Sequence, residues 1–163
     1  MDINDFIKEL EYELRMLIGS AQIVELLKKH KTGNIINYYK DSVYLHARNL
    51  YNFFSANKVY DARVTDYGGH GIFFDMSVYR KWFKALHTHV LHINTGRTPP
   101  VNVIKGEHLN DQTKLFSDNI VGLWESWIGG VSDSATRKLL QDNLDKAKEE
   151  ANNDCESVKR LLT

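Results

Sequence analysis

Apolar residues recur at spacings of three and four positions in five separate segments, which is the pattern of amphipathic α-helices. These segments cover about residues 2–31, 34–56, 77–94, 110–127 and 134–162. Glycine, proline and capping residues separate them. One run, at about residues 58–66, has the character of an extended strand, but it is too short to predict a sheet. The pattern therefore predicts an all-α fold, a four- to five-helix up-and-down bundle.

The length of the chain predicts a single domain over residues 1–163. Its core bundle is expected over about residues 2–130. The last segment, about 134–162, is mostly charged with a thin apolar seam, so it either covers the bundle or pairs with a second copy. Gly19-Ser20 predicts a bend in the first segment, because glycine is unfavourable in a helix interior.

Composition and charge restrict the classes of function. The chain is 42% hydrophobic and 26% charged, and it lacks the roughly 18 consecutive apolar residues that a membrane span requires. The acidic start at Met1-Asp2 differs from the basic start of a secretion signal. We therefore expect a cytoplasmic protein with no membrane contact. Its 21 basic and 21 acidic residues cancel, so any contact with nucleic acid must be local.

The metal-ligand residue types do not form a recognisable site. A single cysteine, Cys155, excludes an intramolecular disulfide and a multi-cysteine zinc site. His87, His89 and His92 lack the i, i+4 spacing that puts two ligands on one helix face, and no carboxylate lies within that cluster. We therefore expect no metal and no cofactor. The helical spacing of the aromatic residues Trp82, Phe83, Trp124 and Trp127 favours core packing over a base-stacking role.

Polar residues interrupt two of the apolar segments. The second segment contains the sequence LHARNLYNFF at residues 45–54, and the third ends in LHINTGR at residues 91–97. Buried or half-buried histidine, asparagine and arginine need hydrogen-bond partners. Two interpretations follow: these residues form a polar layer that fixes the packing of the two helices, or they line a polar site.

These two motifs, in this order, resemble a group of uncharacterised bacterial helical proteins with helices that read roughly L-H-A-R-N-L-x-D-F-F and A-H-L-T-x-x-R. The resemblance covers about residues 7–130 and looks like a distant branch of the HEPN superfamily, helical domains named for nucleotide binding in higher eukaryotes and prokaryotes. Many members are metal-independent ribonucleases of toxin and antiphage systems, and others bind without catalysing. The resemblance implies RNA or a nucleotide as ligand, a homodimer, and an antitoxin or other protein as partner.

HEPN nucleases carry an arginine, usually followed by a polar residue, and then a histidine a few positions later. His92 matches that histidine, but no arginine stands at the matching distance before it. The guanidinium would therefore come from Arg48 or Arg97. RNA cleavage without a metal needs a base, an acid and a cation, and His89 shares a helix face with His92 at i, i+3.

The predicted site therefore has two groups of residues. The catalytic residues are His92, Arg48 and His89, and the substrate-binding residues are Asn49, Asn94, Arg97 and His46. The expected function is that of a HEPN-like domain that acts on or binds RNA or a nucleotide, as a metal-independent endoribonuclease with a degenerate motif. The alternative is a non-catalytic helical interaction or scaffold protein.

Overall fold

The computed structural model describes residues 3–30, 32–55, 63–69, 103–104, 107–108 and 111–163. Within these ranges lie four α-helices: α1 Ile3–Leu27, α2 Ile35–Ser55, α3 Thr113–Gly130 and α4 Ser134–Leu161. The predicted helical bundle is confirmed for these residues. A 3-10 helix at Val64–Tyr67 and a two-residue antiparallel pair, β1 Val103–Ile104 with β2 Glu107–His108, accompany the helices. The predicted third segment, at about 77–94, lies outside the described residues.

Helix α1 contacts all three other helices, most extensively α4 and α2. It runs antiparallel to α2, because Ser20 bonds Ser42 while the earlier residue Glu13 bonds the later residue His46. It runs parallel to α4, and a series of cross-helix contacts fixes that register. These contacts join Glu11 to Lys146, Arg15 to Glu150 and Asp154, and Gln22 to Asn152.

The charged last helix therefore covers the bundle along α1. Arg15 holds Asp154 at 3.0 Å and Glu150 at 2.7 Å, and the hydrogen bond to Asp154 is the main cause that raises the pKa of the guanidinium. Helix α1 also passes without interruption through the Gly19-Ser20 pair that predicted a bend. A Cβ on Gly19 would lie 3.5 Å from the Cα of Ala151, so this glycine lies where the two helices approach closely.

Two tryptophans of α3 form the centre of the core. Trp124 and Trp127 are completely buried, and their rings meet edge to face at 5.4 Å. A buried indole N–H needs an acceptor. Trp124 donates to the carbonyl of Leu140 and Trp127 to that of Tyr67, both at 3.1 Å. The core-packing interpretation of these residues is confirmed.

None of the helices in the described residues combines sufficient length with a sufficiently apolar sequence to cross a bilayer. The longest, α4, has a thin buried seam of Leu140, Leu144, Ala147 and Ala151 between charged positions.

Candidate functional site

Helix α2 carries the part of the predicted site that the structure describes: His46, Arg48 and Asn49. Its buried stripe centres on Val43, Ala47, Leu50 and Phe54. Each residue turns the helix by about 100°, so Arg48 lies about 200° from His46 and about 100° from Asn49 around the axis. His46 and Asn49 therefore flank one margin of the buried stripe, whereas Arg48 flanks the other margin.

On the first margin, one carboxylate oxygen of α1 binds both polar residues. Oε2 of Glu13 lies 2.8 Å from Nδ1 of His46 and accepts a hydrogen bond of 3.0 Å from Nδ2 of Asn49. A carboxylate can only accept, so Nδ1 of the imidazole donates the proton and Nε2 is the acceptor of the neutral ring. His46 is buried, and the ring of Tyr12 meets it edge to face at 5.9 Å.

The local fold explains this arrangement. His46 and Asn49 are spaced i, i+3, so they lie side by side on the face of α2 that meets α1. The antiparallel pairing of α1 and α2 then brings Glu13 opposite both. Sequence reasoning missed Glu13, which stands 33 residues before His46. The short connection between the two helices predicts that they are antiparallel neighbours, but it does not single out Glu13 among the glutamates of α1.

On the second margin, Arg48 is half-buried and incompletely bonded. Its Nε atom is withdrawn from solvent and has no hydrogen-bond partner among the described residues. Leaving a buried donor unsatisfied costs about 1–3 kcal/mol, and more for a charged group. An acceptor that reaches this guanidinium would therefore bind favourably.

Two tyrosines lie one turn away from Arg48 on the same helix. Tyr44 and Tyr51 are both buried, at positions i−4 and i+3. Burial is the main cause that raises the pKa of the Tyr44 hydroxyl, and the negative charges of Asp41 and Asp111 raise it further. This hydroxyl consequently stays protonated at neutral pH. Arg48 thus shares its side of α2 with two buried tyrosines, and its guanidinium forms no ion pair with a carboxylate of the described residues.

The other predicted site residues are His92, His89, Asn94 and Arg97. They lie outside the described residues, as does His87. The structure thus brings His46 and Asn49 together on Glu13 and separates Arg48 from both. The expected meeting of α2 with the third segment lies outside the described residues as well.

Neither candidate metal ligands nor comparisons with known proteins assign a function to this site. Within the described part of the chain, no group of three histidine, cysteine, aspartate or glutamate residues is arranged to hold a metal ion. Comparison of the chain with models of protein families, with curated proteins and with solved structures finds no match.

Proposed function

We propose that this chain is a HEPN-like helical domain that binds RNA or a nucleotide through its phosphate, with Arg48 as the phosphate-contacting residue. The observation that supports this most directly is the Nε–H of Arg48, which is buried without an acceptor among the described residues. A guanidinium offers a planar fork of donors that matches two phosphate oxygens, and the charge strengthens both bonds. A phosphate would supply the acceptor that Arg48 lacks.

In this proposal the two polar margins of α2 have different roles. His46 and Asn49 share one oxygen of Glu13, so they hold α2 against α1. Buried polar pairs of this kind fix the register of packed elements. The phosphate contact belongs to the Arg48 margin.

Cleavage of the bound RNA is the catalytic form of the proposal. His92 would act as acid or base and His89 as its counterpart, because imidazole titrates near neutrality. Arg48 would stabilise the negative charge that develops on the phosphorane. Asn94 and Arg97 would orient the phosphate, and a homodimer would bring two copies of the site together.

Both the phosphate contact and the cleavage can be tested by incubating a pool of labelled RNA with the protein in excess EDTA. We expect His92→Ala to retain RNA without cleaving it, and Arg48→Ala to lose retention. Arg160→Ala is the matched control, because Arg160 is an exposed arginine at the end of α4. Circular dichroism must show that each variant is folded. Unchanged retention by a folded Arg48→Ala variant contradicts the phosphate contact, and unchanged cleavage by His92→Ala contradicts the catalytic form.

A second candidate function, a non-catalytic interaction domain, is favoured by the outer face of α2. Tyr38 is 76% exposed and Leu45 is 42% exposed, and they lie two turns apart on that face. Exposed apolar side chains that share a face are typical of protein-binding surfaces. The double variant Tyr38→Ser/Leu45→Ser would then lower self-association in light scattering while RNA retention stays unchanged. An unchanged molar mass would count against this function.

A further inference from the structure

A second buried donor without a partner lies on α3, in the side-chain amide of Asn119. Its Nδ2 atom is withdrawn from solvent and meets no hydrogen-bond acceptor within the described part of the chain. Buried donors in folded proteins are nearly always paired, so an unpaired one is a candidate ligand contact. Arg48 of α2 carries the same feature at its Nε atom.

Helices α2 and α3 run parallel, and two aromatic contacts fix their register. The ring centroids of Tyr44 and Phe116 lie 6.4 Å apart, and those of Phe54 and Trp127 lie 6.2 Å apart. The two contacts occur in the same order along both helices and at nearly equal spacing. Residues that follow the Tyr44–Phe116 contact by similar distances on the two helices therefore lie at similar levels.

Arg48 and Asn119 lie about one turn beyond the Tyr44–Phe116 contact. Arg48 follows Tyr44 by four residues and Asn119 follows Phe116 by three, which corresponds to rises of about 6 and 4.5 Å. Four residues turn a helix about 40° past a full turn, and three residues stop about 60° short of one. Because the helices are parallel, these rotations of opposite sign bring both side chains to the same side of the α2–α3 contact.

This side of the α2–α3 contact faces away from α1 and α4. On α2, His46 bonds Glu13 of α1 from the margin opposite Arg48. On α3, Trp124 donates to a carbonyl of α4 and lies about 140° around the helix axis from Asn119. The two unpaired donors thus share a side of the helix pair that is separate from the contacts with α1 and α4.

Other buried polar atoms that lack a partner in the described ranges lie elsewhere. Oε1 of Gln22 is an acceptor on α1. Oγ1 of Thr113 lies at the first residue of α3, before the Tyr44–Phe116 contact rather than beyond it. The geometry therefore pairs the guanidinium of α2 with the amide of α3.

We propose that Arg48 and Asn119 contact the same phosphate group, which makes Asn119 a second ligand-binding residue. This inference rests on the proposed function, which puts a phosphate at Arg48, and it adds the second helix of the site. The oxygens of a phosphodiester only accept hydrogen bonds, and arginine and asparagine are both common donors to them. One phosphate can therefore accept from the Nε–H of Arg48 and from the amide N–H of Asn119.

Asn119→Leu tests the amide, because leucine has a similar size and no donor. The melting temperature should rise by roughly 2–4 °C, since an unpaired buried donor is removed. The affinity for a labelled single-stranded RNA should fall about tenfold in fluorescence anisotropy, the effect of losing a hydrogen bond to a charged group. Asn153→Leu, at an exposed asparagine of α4, is the control and should bind as the native protein does. A lower melting temperature for Asn119→Leu would overturn the proposal, because the amide would then already be paired within the fold.

Asn119→Asp gives a second test that does not depend on the fit of leucine. The new carboxylate would supply the acceptor that Arg48 lacks and would repel a phosphate, so RNA affinity should fall further than in Asn119→Leu. Unchanged RNA affinity in a folded Asn119→Asp variant would overturn the proposal.

Arg48→Ala, measured beside these variants, separates this inference from the proposed function. Weaker RNA binding by Arg48→Ala together with native binding by Asn119→Leu overturns the role of Asn119 and leaves the phosphate contact of Arg48 standing. Native binding by Arg48→Ala contradicts both. The Arg48→Ala/Asn119→Leu double variant should lose less affinity than the two single losses combined, because both residues hold one group. Losses that combine in full would overturn the shared phosphate.

Discussion

A single oxygen of Glu13 holds two side chains of α2, and one of them, His46, is buried. Removal of this oxygen would leave the imidazole N–H without its acceptor inside the α1–α2 contact. The penalty for an unsatisfied buried donor exceeds the net contribution of an ordinary hydrogen bond. Glu13 is therefore more important for stability than its charge and partial exposure suggest.

Glu13→Ala is predicted to lower the free energy of unfolding by about 2 kcal/mol. Glu13→Gln keeps one acceptor oxygen and should cost about half as much. Glu9→Ala serves as the control, because Glu9 is exposed on the same helix, and surface changes of this kind stay within about 0.5 kcal/mol. Urea denaturation of the three variants checks the order. Equal losses at Glu9 and Glu13 would contradict the role of this oxygen.

The residue scale also shows how far the sequence alone predicts the site. That Arg48 lies on the opposite margin from His46 follows from helical spacing, so it was accessible from the sequence. The pairing of His46 with Glu13 was not, because a run of glutamates on an amphipathic helix gives no local sign of which one faces a partner. Such contacts depend on how two helices pack. The two residues lie too far apart in the sequence for a local pattern to reveal their pairing.

At the scale of the helices, apolar spacing and end signals predicted the boundaries of α2 and α4 closely, whereas α1 ends at Leu27, about four residues before its predicted end. The predicted ranges 34–56 and 134–162 agree with α2 and α4 to within one residue at each end. Helix α3 begins at Thr113 and includes Gly129 and Gly130, so it lies about three residues later than the sequence predicted. Burial of Ile128 and Val131 on either side of these glycines explains the extension, since tertiary packing overrides their weak helix propensity.

The close approach of α1 and α4 at Gly19 predicts that a small and a large side chain at this position change the stability in opposite directions. Gly19→Ala should stabilise the protein by about 0.5–1 kcal/mol, because its Cβ reaches only ordinary contact with Ala151 and the unfolded chain loses freedom. Gly19→Leu should destabilise it by about 2 kcal/mol through overpacking. Gly122→Ala, where a Cβ meets no described atom within 4 Å, is the control and should also stabilise. Thermal unfolding measures all three, and a stable Gly19→Leu variant would contradict the close approach.

The first turn of α4 gives a prediction about pH. Asp133 caps this helix by accepting from the amide of Thr136 at 2.7 Å, and hydrogen bonds from Thr136 lower the pKa of the carboxylate. Because the folded pKa lies below the ordinary value near 4, the ionised form stabilises the fold above that value. This contribution disappears as the pH falls through the lowered pKa.

Asp133→Asn keeps the capping oxygen but cannot titrate. The native protein should therefore exceed the Asp133→Asn variant in melting temperature at pH 6, and the difference should be smaller at pH 2, because the charge is lost as the pH falls through the lowered pKa. Melting followed by circular dichroism at the two pH values checks this. A difference that is the same at both pH values would show that the charge of Asp133 does not matter.

At the scale of the whole molecule, the sequence left open whether the charged last segment covers the bundle or pairs with a second copy. The structure places it along α1, where small buried residues at its seam meet Gly19 and ion pairs flank the contact. Composition alone could not decide this, because a thin apolar seam suits either arrangement. The same packing leaves a groove between α1, α3 and α4, which no local sequence pattern indicated.

The central claim is that Arg48 contacts a phosphate, and fluorescence anisotropy of a labelled single-stranded RNA tests it most directly. Arg48→Ala should bind the RNA about tenfold more weakly than the native protein, the effect expected for loss of a charge-assisted contact. Arg160→Ala should bind within about twofold of the native protein, because it changes only the overall charge. Equal binding by the native protein and a folded Arg48→Ala variant, or an equal loss in Arg160→Ala, would contradict the claim.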